Sequence, residues 1–376
     1  MNDTTPADAH QGLHSEQGAL RGEHPGRAPQ PVIKVTDIAW LEFTKPDLGR
    51  AETFARDFGF TVDARSDDAL YLRGALAGTH CLVIRKGPGS RFIGPAFKAA
   101  DADDLNRLAR ATGRSVRPIA DHGGGRCVDL LDPSGLPVRV VHGVQELPAL
   151  PVQQPLVVNT GTAVARFNAT QRPEHAPARI ERLGHLVLST RVFRRALDWY
   201  LTHLGLIVSD FLYLDGQRDR GPTMAFIRCD LGSRPADHHT LAMHLGPETG
   251  YVHSAYQVAD LDALAAGGRY LGERGYRRSW GIGRHIQGSQ IFDYWRDPDH
   301  LMLEHFTDGD LFDSTLEPGW ATMCTSGLSQ WGPPATRDFL GSTPSPRLLR
   351  EAITALREDN EIDRRRLLGL MKALSS

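Results

Sequence analysis

The stretch LGHLVLS at residues 183–189 decides the fold, because the chain carries the same kind of stretch a second time. It is followed by apolar residues at helical spacing up to Gly205, and a glycine just past a helix is the usual left-handed stop. In the first half, DIAWLEF at residues 37–43 is followed by a similar run that ends at Gly59. A strand, a helix and a glycine stop therefore occur twice, which indicates an internal repeat.

The rest of each half continues the repeat with short strands, an acidic helix start and a closing turn and strand. The matching stretches are HCLVI at 80–84 and HTLAM at 239–243, FKAADAD at 97–103 and YQVADLD at 256–262, and DPSGLPVR at 132–139 and DPDHLMLE at 297–304. Short strands between single helices, twice over, predict an α+β fold with a mainly antiparallel sheet.

Changes of composition predict the domain organisation. Polar, Gly- and Pro-rich segments flank the two repeats, and apolar residues at 3–4 spacing within 347–374 predict a terminal helix. The predicted units are a disordered tail at 1–31, an N-terminal domain at 32–146, a linker at 147–178, a second domain at 179–308, and a C-terminal extension with a terminal helix at 309–376.

The composition excludes several classes of partner. The 376 residues include 43 Lys and Arg against 45 Asp and Glu, which gives a net charge of −2. The chain therefore lacks the excess of basic residues that binding to nucleic acid or to an anionic membrane would favour. The four cysteines are far apart in sequence, so we expect reduced thiols. Without an apolar stretch of signal-peptide type in residues 1–30, we expect a cytoplasmic protein.

The two repeats differ where a metal could bind. Alternate residues of a strand share a face, so each of the histidines and the glutamate of the second repeat would project among apolar neighbours. Two histidines and one carboxylate with open positions are the facial triad of non-heme Fe(II) oxygenases, and Mn(II) suits the same ligands. A lone strand histidine is more often a hydrogen-bonded core residue, and that alternative stays open. The aligned positions are His185 with Trp40, His253 with Gly94, and Glu304 with Arg139.

Several blocks of the second half together carry a resemblance to a known family. They are LGHLVL at 183–188, HHTLA at 238–242, YVHSAYQVADLD at 251–262, GRH at 283–285, FDYWRDP at 292–298, and Glu304. In order and spacing they resemble the two-domain extradiol ring-cleaving dioxygenases of the vicinal oxygen chelate superfamily, of the catechol 2,3-dioxygenase and 2,3-dihydroxybiphenyl dioxygenase type. The resemblance implies tandem βαβββ modules in both domains and a metal only in the second.

The resemblance also implies an activity and a role for each site residue. The activity is cleavage of a catechol ring beside the diol, with Fe(II) and O₂, in aromatic catabolism and in a homo-oligomer. The implied roles are His185, His253 and Glu304 as metal ligands, His239 as acid/base histidine, and His285 with Tyr294 as the pair that hydrogen-bonds the substrate hydroxylate.

Some residues depart from the family pattern or stay outside the site. His300 stands where the family usually has Gly after Asp-Pro-x, and Asp293 is expected to face solvent at the sheet edge. His238 and His244 are expected to be structural. The run LSQWGPP at 328–334 either folds over the cavity mouth or packs on the outside or at a subunit contact.

Other functions remain open from the residues alone. A 4-hydroxyphenylpyruvate-type dioxygenase shares the length, the two domains and the two-histidine, one-glutamate set, but it does not need the other three site residues. A glyoxalase-type isomerase usually has its carboxylate ligands in more symmetrical positions. A non-catalytic small-molecule binding protein on the same fold typically lacks the metal triad.

Overall fold

Two β-sheets, one from each half of the chain, form the architecture, in a computed structural model that describes residues 16–343 and 345–374. The strands are β1 Glu16–Gln17, β2 Asp37–Lys45, β3 Thr61–Arg65, β4 Ala69–Arg73, β5 Leu82–Lys86, β6 Arg91–Lys98, β7 Val116–Pro118, β8 Arg126–Leu131, β9 Pro137–His142, β10 Arg182–Thr190, β11 Leu206–Tyr213, β12 Met224–Cys229, β13 Ala236–Asp237, β14 Leu241–Leu245, β15 Gly250–Gln257, β16 Arg277–His285, β17 Ile291–Arg296, β18 Met302–Thr307, β19 Leu311–Phe312, β20 Gly319–Thr322 and β21 Ser329–Trp331. The helices are α1 Leu48–Phe58, α2 Ala102–Thr112, α3 Phe193–Leu204, α4 Leu261–Glu273, α5 Pro346–Ala355 and α6 Arg364–Ala373.

The first sheet has eight strands in the order β3-β4-β5-β2-β6-β9-β8-β7. The second has eleven, in the order β1-β20-β11-β12-β14-β10-β15-β18-β17-β16-β21, and β13 pairs separately with β19. Most neighbouring strands are antiparallel, with parallel pairs such as β2–β5 and β10–β14 where a helix crosses over. The predicted α+β fold with a mainly antiparallel sheet is confirmed. The exact domain boundaries stay a prediction.

The two sheets repeat one another residue by residue at their centres. In the first sheet, Ala96 on β6 pairs with Trp40 on β2 and with Arg139 on β9. Both central strand pairs, β2–β6 and β10–β15, are interrupted by a register shift just before this row. The equivalent row of the second sheet is His185, Ala255 and Glu304. The strand register therefore agrees with the alignment of the repeats that the sequence predicts.

Residues 16–31 differ from the predicted disordered tail, because they pack along the second sheet. β1 pairs with β20, and the Val208 amide donates a hydrogen bond to the Gly26 carbonyl at 2.7 Å. Gly26 has a φ of +75°, and a Cβ there would lie 2.5 Å from Cγ of Pro318, so only glycine fits this crossing. Glu23 forms an ion pair with Arg218. Residues 1–15 of the predicted tail lie outside the described residues.

Helix α1 of the first half packs directly against the second half. The buried ammonium of Lys45, at the end of β2, pairs with Asp297 and lies 2.9 Å from Asp299. His305 on β18 is fully buried, stacks on the Phe58 ring at 3.8 Å, and donates from Nε2 to the Phe58 carbonyl at 2.8 Å. Charged and aromatic groups therefore join the two halves, next to the strand that carries Glu304.

Buried His305 makes the stability of the protein depend on pH. Burial lowers the pKa of His305 to about 4, against a hydrogen bond to the Phe58 carbonyl that raises it. As pH falls below 6.5, the ordinary pKa of histidine, this residue binds a proton in the unfolded chain. In the folded chain it does not bind one until about pH 4. This histidine alone costs roughly 1.4 kcal/mol of stability per pH unit in that window. We expect His305→Gln to reduce the slope of unfolding free energy between pH 5 and 6 by about this amount.

Urea unfolding of metal-free protein at several pH values measures this slope. The surface variant His175→Gln, whose imidazole is 61% exposed beside Glu273, is the matched control and should leave the slope as in the wild type. An unchanged slope in His305→Gln would contradict the buried neutral state of this histidine.

The C-terminal extension ends in two helices, so the prediction of one helix within 347–374 is wrong. The chain turns after α5, where the Asn360 side chain donates to the Ala355 carbonyl at 2.8 Å. Asp363 then caps α6 by accepting from the Arg366 amide. Between them, Glu361 accepts from the Arg194 amide of α3 at 2.8 Å and fixes the turn on the second domain.

Two further expectations concern the chain as a whole. All four cysteines are unpaired, which confirms the expected free thiols: Cys81, Cys127, Cys229 and Cys324. No helix in the described ranges is both long enough and apolar enough to cross a bilayer.

Candidate metal centre

The three predicted metal ligands lie together on neighbouring strands at the middle of the second sheet. His185 comes from β10, His253 from β15 and Glu304 from β18, and their ligand atoms all lie within 4.8 Å of one another. Glu304 Oε2 is 3.2 Å from His185 Nε2 and 3.3 Å from His253 Nε2. All three side chains are buried, and Glu304 has no exposed surface. Side chains far apart in sequence are thus brought into one small cluster.

Gly184 lets an aromatic ring pack against this cluster. A Cβ at Gly184 would lie 2.3 Å from Cε1 of Phe306, whose ring centroid is 5.7 Å from that of His185. The register shift between Leu183 and His185 then aligns the histidine with Ala255 in the next strand. The glycine and the bulge therefore set the direction in which β10 presents its ligand.

The cluster fits a divalent cation. Among the described residues, neither carboxylate oxygen of Glu304 has a hydrogen bond of good geometry, although the group is fully buried. Burial raises the pKa of Glu304, but the imidazoles of His185 and His253 outweigh burial and hold the pKa well below its usual range. An ionised carboxylate buried without good hydrogen bonds is costly unless a cation pairs with it. Two imidazole nitrogens and one carboxylate suit Fe(II) or Mn(II).

His285 and Tyr294 form a hydrogen-bonded pair beside the cluster. His285 Nε2 is 2.8 Å from Tyr294 Oη and 4.0 Å from Glu304 Oε1. The other ring nitrogen, Nδ1, lies 2.8 Å from the Leu328 carbonyl, which can only accept, so Nδ1 carries the proton. Nε2 is therefore the acceptor for the tyrosine hydroxyl. Burial lowers the pKa of His285 to about 4, which keeps the ring neutral near pH 7.

The C-terminal extension packs against the His285–Tyr294 pair. β21 pairs with β16, next to His285. The Phe339 ring packs on that of Tyr294 at 4.7 Å, and Asp338 accepts from Ser279 Oγ at 2.6 Å and from Arg296 Nε at 3.0 Å. Within 328–334, the Leu328 carbonyl and the pairing of Ser329 both contact His285, and the choice between a fold over the cavity mouth, outside packing and a subunit contact stays a prediction.

His239 lies just before β14, with its ring centroid 4.0 Å from that of His185. The residue is buried, and burial, followed by the neighbouring His185, holds the pKa of His239 well below its ordinary value. Nδ1 of His239 is 3.0 Å from Nδ1 of His238. The structure therefore brings all six predicted site residues into one region of the second domain.

The expectation that Asp293 faces solvent is wrong, because helix α4 covers it. Asp293 has no exposed surface, and its carboxylate lies 3.0 Å from Arg278 Nη2. A Cβ at Gly268 of α4 would lie 2.4 Å from the carboxylate, so the glycine allows this close approach. Burial raises the pKa of Asp293 to about 7. The glycine pair at 267–268 is the signal in the sequence that a helix approaches this strand closely.

His300, which stands where the family usually has glycine, does not disturb the turn that leads to Glu304. His300 takes a φ of +67°, the left-handed conformation that glycine adopts most easily. The Asp297 carboxylate accepts from the amides of Asp299 and Leu301, at 2.8 and 2.9 Å. The spacing from Asp297 to Glu304 is therefore kept by the turn and not by the residue type at 300.

Comparison with known proteins agrees with this geometry. The family model of the Glyoxalase/Bleomycin resistance protein/Dioxygenase superfamily matches residues 182–305, which contain all six predicted site residues. Metapyrocatechase 2 of Cupriavidus necator is 29% identical over 334 residues, covering 88% of this chain and 98% of the relative. An iron-dependent extradiol dioxygenase of Rhodococcus jostii strain RHA1 is 25% identical over 313 residues, covering 80% of this chain and 94% of that relative.

A solved structure shows the same fold. Homoprotocatechuate 2,3-dioxygenase of Brevibacterium fuscum, in an anaerobic complex with 3,4-dihydroxyphenylacetate, superposes with a TM-score of 0.69 at 19% identity. The superposition covers 86% of this chain and 96% of that one. Residues 182–305 thus match the model of that superfamily, and most of the chain is similar to extradiol ring-cleaving dioxygenases.

Proposed function

We propose that this chain opens the ring of a catechol beside its diol, with O₂ and with an Fe(II) ion held by His185, His253 and Glu304. It is an oxidoreductase that incorporates both oxygen atoms of O₂ into the product. The single observation that carries the proposal is the fully buried Glu304 carboxylate, with two imidazole Nε2 atoms within 3.3 Å and the His285–Tyr294 pair beside it. The iron-dependent extradiol relative supports Fe(II) over Mn(II).

When bound, a divalent iron would supply a Lewis acid and a template that chelates both oxygens of a catecholate and brings O₂ beside it. The three protein ligands leave positions open for this. The Glu304 carboxylate would offset part of the metal charge, and its burial excludes water from that side.

The pair His285 and Tyr294 would take one proton from the substrate. Because the tyrosine hydrogen is directed to His285 Nε2, the phenol oxygen offers lone pairs to a catechol hydroxyl. The substrate proton would pass to Tyr294 Oη as the tyrosine proton passes to His285 Nε2. The Nδ1–H bond to the Leu328 carbonyl would then steady the resulting imidazolium. Binding of the substrate as a hydroxylate follows from this transfer.

His239 would serve as the general acid and base on the other side of the site. Its ring lies against His185, the first of the proposed ligands, and its Nε2 has no hydrogen-bond partner among the described residues. That nitrogen is free to hold a proton and to hand it on during cleavage of the O–O bond.

Anaerobic loading with ferrous iron, followed by air and a panel of catechols, tests the proposal. The panel holds catechol, 3-methylcatechol, 2,3-dihydroxybiphenyl and a carboxylated catechol. We expect a coloured ring-opened product with equimolar O₂ uptake, and loss of both in His253→Ala. O₂ uptake with 4-hydroxyphenylpyruvate in place of the catechols would favour that second dioxygenase class. Failure to bind iron at all would leave a small-molecule binding protein.

We further propose a homo-oligomer in the cytoplasm. The four unpaired cysteines support the location, since the cytosol keeps thiols reduced. The apolar side chains of Leu349 and Ile353 on α5 and of Leu356 just after it are exposed and support self-association. Light scattering behind size exclusion, with Leu349→Glu as the variant, tests the oligomer: a wild-type monomer would contradict it.

A further inference from the structure

A buried line of three polar side chains leads away from the metal centre through His239. Asp210 Oδ2 lies 2.7 Å from His238 Nε2, and His238 Nδ1 lies 3.0 Å from His239 Nδ1. The three residues are 8%, 1% and 4% exposed, in that order. The His239 ring, at the end of the line, is the one that packs on His185.

The sequence builds this line at an irregularity of β11. The pairing of β11 with β12 shifts between Val208 and Asp210, so Ser209 is the extra residue of a bulge. Ser209 Oγ donates to the His238 carbonyl at 2.5 Å and accepts from Arg228 Nη1 at 2.9 Å. Ser209 of the bulge thus holds the His238 backbone, and the next residue, Asp210, contacts the His238 ring.

Donor and acceptor counting assigns the protons along the line. An ionised carboxylate can only accept, so His238 donates from Nε2 to Asp210. A neutral His238 then has a lone pair on Nδ1, and the contact at 3.0 Å requires His239 to donate from its own Nδ1. His239 Nε2 is left without a proton. The Asp210 carboxylate therefore determines, through His238, which ring nitrogen of His239 is basic.

We propose that Asp210 and His238 are positioning residues that hold His239 as the Nδ1–H tautomer, with Nε2 as the proton acceptor in the resting enzyme. This inference rests on the proposed function, in which His239 is the acid and base. It adds an order of events: His239 must first take a proton from the substrate before it can give one during O–O cleavage. Asp210 also stabilises the imidazolium formed at that stage, through His238.

The test reads the tautomer directly, on metal-free protein. Long-range ¹H–¹⁵N spectra of histidine-labelled protein distinguish a protonated from an unprotonated ring nitrogen, and the His239→Asn variant assigns the signal. In the wild type we expect a protonated Nδ1 and a bare Nε2 on His239. In Asp210→Asn the side-chain amide can donate to His238 Nε2, which reverses both hydrogen bonds, and we expect the proton on His239 Nε2.

The same variants are then loaded with ferrous iron and assayed with the best catechol. For Asp210→Asn we expect kcat to fall about 10²- to 10⁴-fold, the range for loss of a general acid or base, with KM and iron affinity unchanged within about threefold. His244→Gln is the matched control: it removes a nearby imidazole that contacts the Leu245 carbonyl and keeps the line of three side chains. It should keep the tautomer and kcat.

Three results would overturn the inference. One is a wild-type His239 with its proton on Nε2, which would mean that His238 is the donor. Another is an Asp210→Asn tautomer identical to the wild type. The third is a reversed tautomer with normal kcat. If the wild-type protein cleaves no catechol, the proposed function fails, yet the spectra of metal-free protein still decide the tautomer.

Discussion

Glu304→Gln should abolish the stabilisation that ferrous or manganous ion gives to the wild-type protein. Glu304 is the anionic member of the cluster, and an amide cannot offset the charge of a buried cation. A metal that binds only the folded protein stabilises it by about 2.7 kcal/mol at a free concentration a hundred times its Kd. For a domain of this size that is roughly 5–10 °C in Tm. The variant should show almost none of it.

Ring-cleavage activity should fall in the same variant by about 10³-fold or more. A Lewis acid is worth several kcal/mol to such a reaction, and each 1.36 kcal/mol is a factor of ten in rate. Thermal unfolding with and without metal, bound-iron analysis and initial rates are the measurements. Glu273→Gln is the control, since Glu273 is an exposed residue at the end of α4. A normal metal-induced shift in Glu304→Gln would refute the assignment of this ligand.

His239→Asn should reduce kcat by about 10²- to 10⁴-fold while the metal-induced shift in Tm stays as in the wild type. The ring lies 4.0 Å from that of His185 but is outside the cluster of three converging ligand atoms. Loss of a general acid or base costs this range of rate, whereas loss of a ligand also costs metal. Stopped-flow rates and iron titration of the same preparation separate the two effects.

The matched control for His239→Asn is His244→Gln on β14, the strand that begins just after His239. His244 has its Nδ1 at the Leu245 carbonyl, 3.2 Å away, and it takes no part in the proposed mechanism. Its kcat should stay within about twofold of the wild type. If His239→Asn also loses iron, the histidine is a ligand, and a wild-type kcat would remove it from the mechanism altogether.

Much of the centre could be predicted from the sequence, because the repeat supplied an internal reference. Aligning the two halves singled out the positions of His185 and Glu304. In the structure both residues pair with Ala255 on β15. Their counterparts Trp40 and Arg139 pair in the same way with Ala96 on β6. Periodicity also gave the helix stops at Gly59 and Gly205, which are left-handed in the structure. Local rules work where the repeat and the strand period agree.

The parts that sequence reasoning missed all depend on contacts between distant segments. Asp293 is buried only because Gly268 lets a helix approach it. Asp210 reaches His238 from another strand, through a bulge that has no marker in the sequence. Residues 16–31 look like a disordered tail by composition, and they are ordered because they pair with and pack on β20 and its neighbours. Composition and periodicity describe a segment and not its partners.

The matching rows of the two sheets show what a metal centre in the first half would require. In the first half, a Cβ at Gly94, the counterpart of His253, would lie 2.0 Å from the Pro137 carbonyl oxygen. Arg139, the counterpart of Glu304, lies 2.8 Å from Asp129 and 3.4 Å from Glu42. A histidine at position 94 would fit only if the start of β9 moved away, and a glutamate at 139 would face two carboxylates. Replacing the three counterpart residues alone would therefore not build a metal centre in the N-terminal half.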